Sequence, residues 1–177
     1  VEGLAFLGGP GGFPPANVPL TVTGAFEGPN YAASDYATPI CFAKGTRIKT
    51  PDGLRLIQDL APGDTVVTRD HGVLPILWLG RTLLDQTHLA HHPEHRPITV
   101  RKGAFGHNRP NRNLRLSPQH RVMVTGWRAQ LFFGEDEVLV PVHKLVDGKT
   151  VRVNASGRPV QYYHLLLPHH ALVWSAG

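Results

Sequence analysis

From residue 46 onward the chain is built of short apolar or alternating runs, broken every few positions by Gly, Pro, Asp or Asn. Thr46–Thr50 alternates in side-chain character as a strand does. Pro51-Asp52-Gly53 is a turn signal, and Leu54–Ile57 reads as the returning strand. Ile57–Leu60 reads as a single helical turn closed by Pro62-Gly63, followed by a strand over Thr65–Thr68 and a turn at Asp70-His71-Gly72. Ile76–Leu79 is an apolar strand ending at Gly80, and Pro97–Val100 is another. Two strand-like runs flank the tetrapeptide Ser117-Pro-Gln-His120. Val138–Pro141 and Val151–Asn154 are further strands, with a brief helical turn expected within 142–150. Pro159–Leu167 is the most strand-like stretch of all, and Pro168-His169-His170 turns it into Ala171–Trp174. About ten short strands without a long helix predict an all-β fold. Trp78, Trp127 and Trp174 are expected in its core.

Residues 1–40 are different. Gly and Pro dominate Gly8–Pro19, Lys and Arg are absent, and only Val18–Thr23 suggests a strand. Such a segment is linker-like. The expected organisation is a Gly/Pro-rich N-terminal flanking segment over 1–40 and one folded domain over 41–177.

Composition supports the β reading. Charged residues make up only 18%, against 19 Gly and 16 Pro, which favours a turn-rich β protein over a helical one. The formal net charge is +5, but the arginines are scattered and no basic run is interleaved with aromatics, so no nucleic-acid partner is expected. No run reaches the ~18 apolar residues of a membrane helix, so no membrane partner is expected either. A monomer is the expected state, and no compartment is read from the sequence. His88, His91, His92 and His95 have spacings that would put them on one face of a helix and suit zinc or nickel. Pro93 breaks any helix before His95, so a solvent-exposed loop is the preferred reading. No metal and no cofactor is expected.

The single cysteine, Cys41, falls at the composition break and cannot form an internal disulfide. A lone Cys is often an inert core residue, but it can be a nucleophile if His and Ser partners lie elsewhere in the fold. In this position the nearest carbonyl is that of Ile40. Attack by the Cys41 sulfur on that carbonyl closes a five-membered ring, and its collapse is an N-to-S acyl shift giving a thioester. The shift needs a donor to the departing nitrogen, an anchor for the amide and an oxyanion stabiliser. A His preceded at three residues by Ser, across a tight turn, supplies two of these: Ser117-Pro-Gln-His120 is such a pair.

These residues carry a resemblance. Cys41-Phe-Ala-Lys-Gly-Thr46-Arg-Ile48, Ser117-Pro-Gln-His120 with Ser for the usual Thr, and Tyr163-His164-Leu165 followed by His170 and Gly177 occur in the order found in Hint (hedgehog/intein) autoprocessing domains. Asp59-Leu-Ala-Pro-Gly-Asp64 is similar to the bacterial branch outside true inteins. The resemblance covers 41–177. It implies a horseshoe-shaped all-β fold of hairpins with pseudo-twofold halves and a self-processing activity at the Ile40–Cys41 bond. Cys41 would be the nucleophile, His120 the proton donor to the leaving amine, and Ser117 the group orienting the amide. His164 would stand where the family often has Asp or Cys, with His170 assisting later steps. The substrate would be the chain's own N-terminal segment, and the acceptor water, a thiol or an amine. The sequence ends at Gly177 without a terminal His-Asn pair, so N-terminal cleavage or ligation is expected from it rather than splicing. Two alternatives are a non-catalytic β-rich binding or scaffold module, with metal on His88, His91 and His92, and a cysteine hydrolase acting on other chains.

Overall fold

The structure is a computed structural model that describes residues 40–106 and 108–176. The strand expected over 18–23 lies outside these residues. Within them the fold is all-β, with two short α-helices. Six strands make the main sheet: β1 (Phe42–Ala43), β6 (Trp78–Leu84), β7 (Ile98–Val100), β8 (Leu114–Leu116), β11 (Val151–Val153) and β12 (Val160–Leu166). Their order across the sheet is β11-β7-β8-β1-β12-β6, with every pair antiparallel. Three two-stranded ribbons complete the set. They are β2 (Arg47–Thr50) with β3 (Gly53–Leu56), β4 (Thr65–Val67) with β5 (Val73–Pro75), and β9 (Arg121–Thr125) with β10 (Glu137–Pro141).

The expected hairpin at Pro51-Asp52-Gly53 forms, with Thr50 paired to Gly53. Gly53 has φ of 116°, a conformation that glycine adopts without the Cβ clash of other residues. The helical turn after β3 is a 3-10 turn over Ile57–Asp59, and a second one at Val142–Leu145 fills the stretch after β10.

Strand β1 is only two residues long, yet it sits at the centre of the sheet. Phe42 pairs with Leu116 of β8 on one side and with Tyr163 of β12 on the other. Successive side chains of a strand point to opposite faces. Phe42 therefore joins the main core with Ile48, Ile98, Leu116 and Tyr163, while Cys41 and Ala43 join a second cluster with Leu89, Val160 and Tyr162.

Four details depart from the pattern read along the chain. Strand β6 does not end at Gly80 but runs to Leu84, because the seven-residue β12 pairs with it from Leu166↔Trp78 to Val160↔Leu84. The His-rich stretch is not a loop. Helix α1 (Gln86–His91) is capped by the Asp85 carboxylate, which accepts from the His88 amide at 2.7 Å, and it is anchored by buried Leu89. A second helix, α2 (Trp127–Phe133), lies between the two strands of the β9–β10 ribbon, ends at left-handed Gly134 and buries Ala129 against Val124 and Val140. The three tryptophans are not core residues: Trp127 is 69% exposed, and Trp78 and Trp174 retain large exposed areas. Trp78 instead lays its ring over Gly80, two positions along the same strand face, where a Cβ would collide with that ring.

Leu116 is fully buried and sits directly before Ser117, so its packing fixes the end of β8. Leu116→Ala is expected to cost about 2–5 kcal/mol. Leu116→Met should cost less than about 1.5 kcal/mol. Urea unfolding of the two variants at neutral pH measures both.

Candidate active site

The sheet order decides which side chains meet. Because β1 is held between β8 and β12, Cys41, which precedes it, lies between Ser117, which follows β8, and the Tyr163-His164 segment of β12. The Cys41 amide N–H donates to Ser117 Oγ at 2.8 Å, and the Ser117 amide N–H donates to the Cys41 carbonyl at 3.0 Å. One residue back, the Ile40 carbonyl lies 2.8 Å from His164 Nδ1. A carbonyl oxygen only accepts, so Nδ1 carries the hydrogen of that bond. The peptide between Ile40 and Cys41 is therefore gripped at its oxygen by His164 and at its nitrogen by Ser117.

His120 arrives through the turn that leaves β8. Its amide N–H donates to the Ser117 carbonyl at 3.0 Å. The turn is fastened from outside by the Val142–Leu145 segment. Val142 N–H donates to the His120 carbonyl at 2.8 Å, and His143 engages the Pro118 carbonyl through its amide at 3.1 Å and its Nδ1 at 3.0 Å. The His120 ring lies 4.4 Å from the Phe42 ring, centroid to centroid. Its Nδ1 is the one buried side-chain polar atom among the described residues with no hydrogen-bond partner.

Burial sets the protonation states. Cys41 is 3% exposed, and removal from water pushes its thiol up to about 12. The same effect pushes the His120 imidazole down to about 4; the Cys41 backbone beside it opposes the shift and the charge of His164 adds to it. At neutral pH the pair is therefore a thiol and a neutral imidazole. Ile40, by contrast, is 47% exposed, so the acyl side of the bond faces solvent while the sulfur side is covered.

Four of the five site residues expected from sequence thus come together: Cys41, Ser117, His120 and His164. His170 is exposed beyond β12, and no hydrogen bond among the described residues ties it to the other four. Other contributors were not anticipated. Tyr162 and Leu89 share the second buried cluster with Cys41. Tyr162 shares the strand face of His164, two residues away, so the alternation of β12 could have pointed to it. Leu89 gives no comparable signal, because its place depends on where α1 packs. Trp78 flanks His164 with ring centroids 6.3 Å apart, in the space left by Gly80, which pairs opposite His164.

One all-β sheet thus brings a buried cysteine, a serine and two histidines around one backbone peptide. The family model of the Hint domain matches residues 40–177, and the chain belongs to that family. Among solved structures, the chain is similar to the bacterial intein-like domain from Clostridium thermocellum, with 16% identity, a TM-score of 0.51, and 75% of this chain and 91% of that one covered. Weaker overlaps link it to the MchDnaB-1 intein, with 14% identity, a TM-score of 0.38, and 76% and 82% covered. They also link it to the Msm DnaB1 intein splicing domain bound with zinc, with 17% identity, a TM-score of 0.37, and the same coverage of 76% and 82%. These likenesses concern the fold. No curated protein sequence matches the chain.

The buried neutral His120 makes the domain acid-sensitive. Its folded pKa of about 4 lies below the ordinary 6.5, so the unfolded chain takes up the proton first as pH falls. The contribution is fully present above about pH 6.5 and is lost progressively as pH falls, the loss reaching about 3 kcal/mol at about pH 4. Urea unfolding of wild type and His120→Gln across that range should show this share of the pH slope in wild type only.

Proposed function

We propose that the chain carries out an N-to-S acyl shift at its own Ile40–Cys41 bond, followed by transfer of the acyl group to water, a thiol or an amine. The observation that supports this most directly is the two-ended grip on the peptide, His164 Nδ1 on the Ile40 oxygen and Ser117 Oγ on the Cys41 nitrogen, each at 2.8 Å. A group that merely packed in the core would have no reason to polarise that carbonyl.

In this reading the Cys41 sulfur bonds to the Ile40 carbonyl carbon, and the oxygen takes up the negative charge. His164 Nδ1–H, already on that oxygen, stabilises the oxyanion. This gives His164 a donor's role where the family often uses an acidic residue. A thiol pushed up to about 12 does not ionise in advance, so its proton leaves as the S–C bond forms. The neutral, unpartnered Nδ1 of His120 accepts it. Collapse of the intermediate breaks the C–N bond, and the same proton passes to the Cys41 nitrogen, which leaves as an amine. Its low pKa makes the His120 imidazolium a willing acid for that transfer. Ser117 holds the nitrogen in place throughout. The product is a thioester between Ile40 and Cys41. Its acyl side is the exposed one, open to an incoming nucleophile, although the β-branched Ile40 crowds the attack. His170 takes no part in this first step.

Incubation of the full chain with dithiothreitol should release residues 1–40, seen as two new masses. Cys41→Ala should release nothing. His120→Ala should be slower by about 10²–10⁴-fold. His164→Ala should lose about 10²–10³-fold, the scale of one oxyanion donor. A wild-type chain that stays intact with thiol and with hydroxylamine would overturn the proposal.

A further inference from the structure

Beyond the Cys41 group, a second cluster of chemistry-bearing side chains lies on α1 and the 3-10 turn Pro93–His95 that follows it. His92 Nδ1 is 3.1 Å from Glu94 Oε1, and His95 Nε2 is 3.9 Å from the same oxygen. One ligand atom from each of the three residues lies within 4.8 Å of the others. Ligands held 2.0–2.1 Å from a tetrahedral zinc stand about 3.3 Å from one another. The observed separations bracket that value, so small side-chain rotations bring all three onto one ion.

We propose that His92, Glu94 and His95 form a binding site for a divalent transition metal of the zinc type, with His88 orienting His95 from behind. Two imidazoles and one carboxylate are the ligand set of a three-residue zinc site that leaves a fourth position for water. Imidazole nitrogen favours zinc, nickel or cobalt over magnesium and calcium, which prefer all-oxygen shells. The other nitrogen of His95, Nδ1, lies 2.8 Å from His88 Nε2. Metal on Nε2 places the ring hydrogen on Nδ1, and His88 Nε2 accepts it. That is the outer hydrogen bond which ligating histidines characteristically make. The ring planes of His88, His92 and His95 lie within 29° of one another, with centroids 4.7, 5.1 and 5.4 Å apart. His91 does not belong to the site, because its Nδ1 is turned back to the Thr87 carbonyl at 2.9 Å. The trio therefore differs from the His88, His91 and His92 set that spacing alone suggests.

The cluster stands on a firm base. The His95 carbonyl accepts from the Tyr162 hydroxyl at 3.1 Å, and the Leu89 carbonyl accepts from Arg96 Nε at 3.1 Å. Leu89 and Tyr162 belong to the same buried cluster as Cys41. A bound ion would tie the end of α1 to the turn after it and stiffen that cluster.

The test is titration of the full chain with Co²⁺, followed by absorption and by competition with Zn²⁺. About one metal per chain is expected, with the intense visible bands of a tetrahedral site. Binding should persist in Cys41→Ala and in His91→Ala. It should weaken at least about tenfold in His92→Ala and in Glu94→Gln, and by about 10–100-fold in His88→Ala. His92 and Glu94 are exposed, so both variants are expected to keep their circular dichroism. Zinc should raise the thermal midpoint of the parent and not that of His92→Ala. Unchanged affinity in His92→Ala and Glu94→Gln, loss of the metal in Cys41→Ala, or absence of any binding would each overturn the proposal.

Discussion

The arrangement of this domain depends on the reciprocal pair of hydrogen bonds between Cys41 and Ser117, amide to Oγ and amide to carbonyl. They continue the β1–β8 ladder past the end of both strands. A two-residue strand has little cohesion of its own, and it holds its place because both neighbours grip it. Position is thus transmitted from long-range strand pairing to a single peptide bond. Ser117 belongs to the sheet on one side and to the Ser117–His120 turn on the other, so it places the cysteine and the histidine together. Loss of its hydroxyl would remove the bond from the Cys41 amide and leave the two backbone bonds in place.

Burial and reactivity pull in opposite directions here. A thiol that is 3% exposed and an imidazole held neutral in the core are both poor reagents taken separately. In the reaction proposed above they would act as partners in a proton exchange that never requires a free ion. The hydrogen bond from His164 to the Ile40 oxygen lies on the exposed side instead, where water competes with it. The half-open Ile40 side and the closed Cys41 side would, in that reaction, divide the work between acceptor access and sulfur protection.

Much of this was legible along the chain, for reasons that can be given residue by residue. Turn signals such as Pro51-Asp52-Gly53 and the alternation of Pro159–Leu167 are local, and the structure keeps them as the β2–β3 hairpin and β12. Cys41, Ser117 and His120 were marked by residue type and short spacing. The contact of His164 with the Ile40 carbonyl was not legible, because it spans 124 positions and follows only from the strand order. Helix α1 was misread because Pro93 was weighed as a breaker, while Asp85 as a cap and Leu89 as an anchor were not weighed. The tryptophans were placed inside on hydrophobicity alone. Trp78 instead spends its ring on covering Gly80, a choice made by a neighbour without a side chain.

That last feature has a use. The Trp78 indole is partly exposed, belongs to the strand paired with β12 and lies beside the His164 imidazole. The domain therefore carries an intrinsic optical reporter in the strand next to His164, and a change of packing at that position of β12 alters the surroundings of an indole without any label being attached.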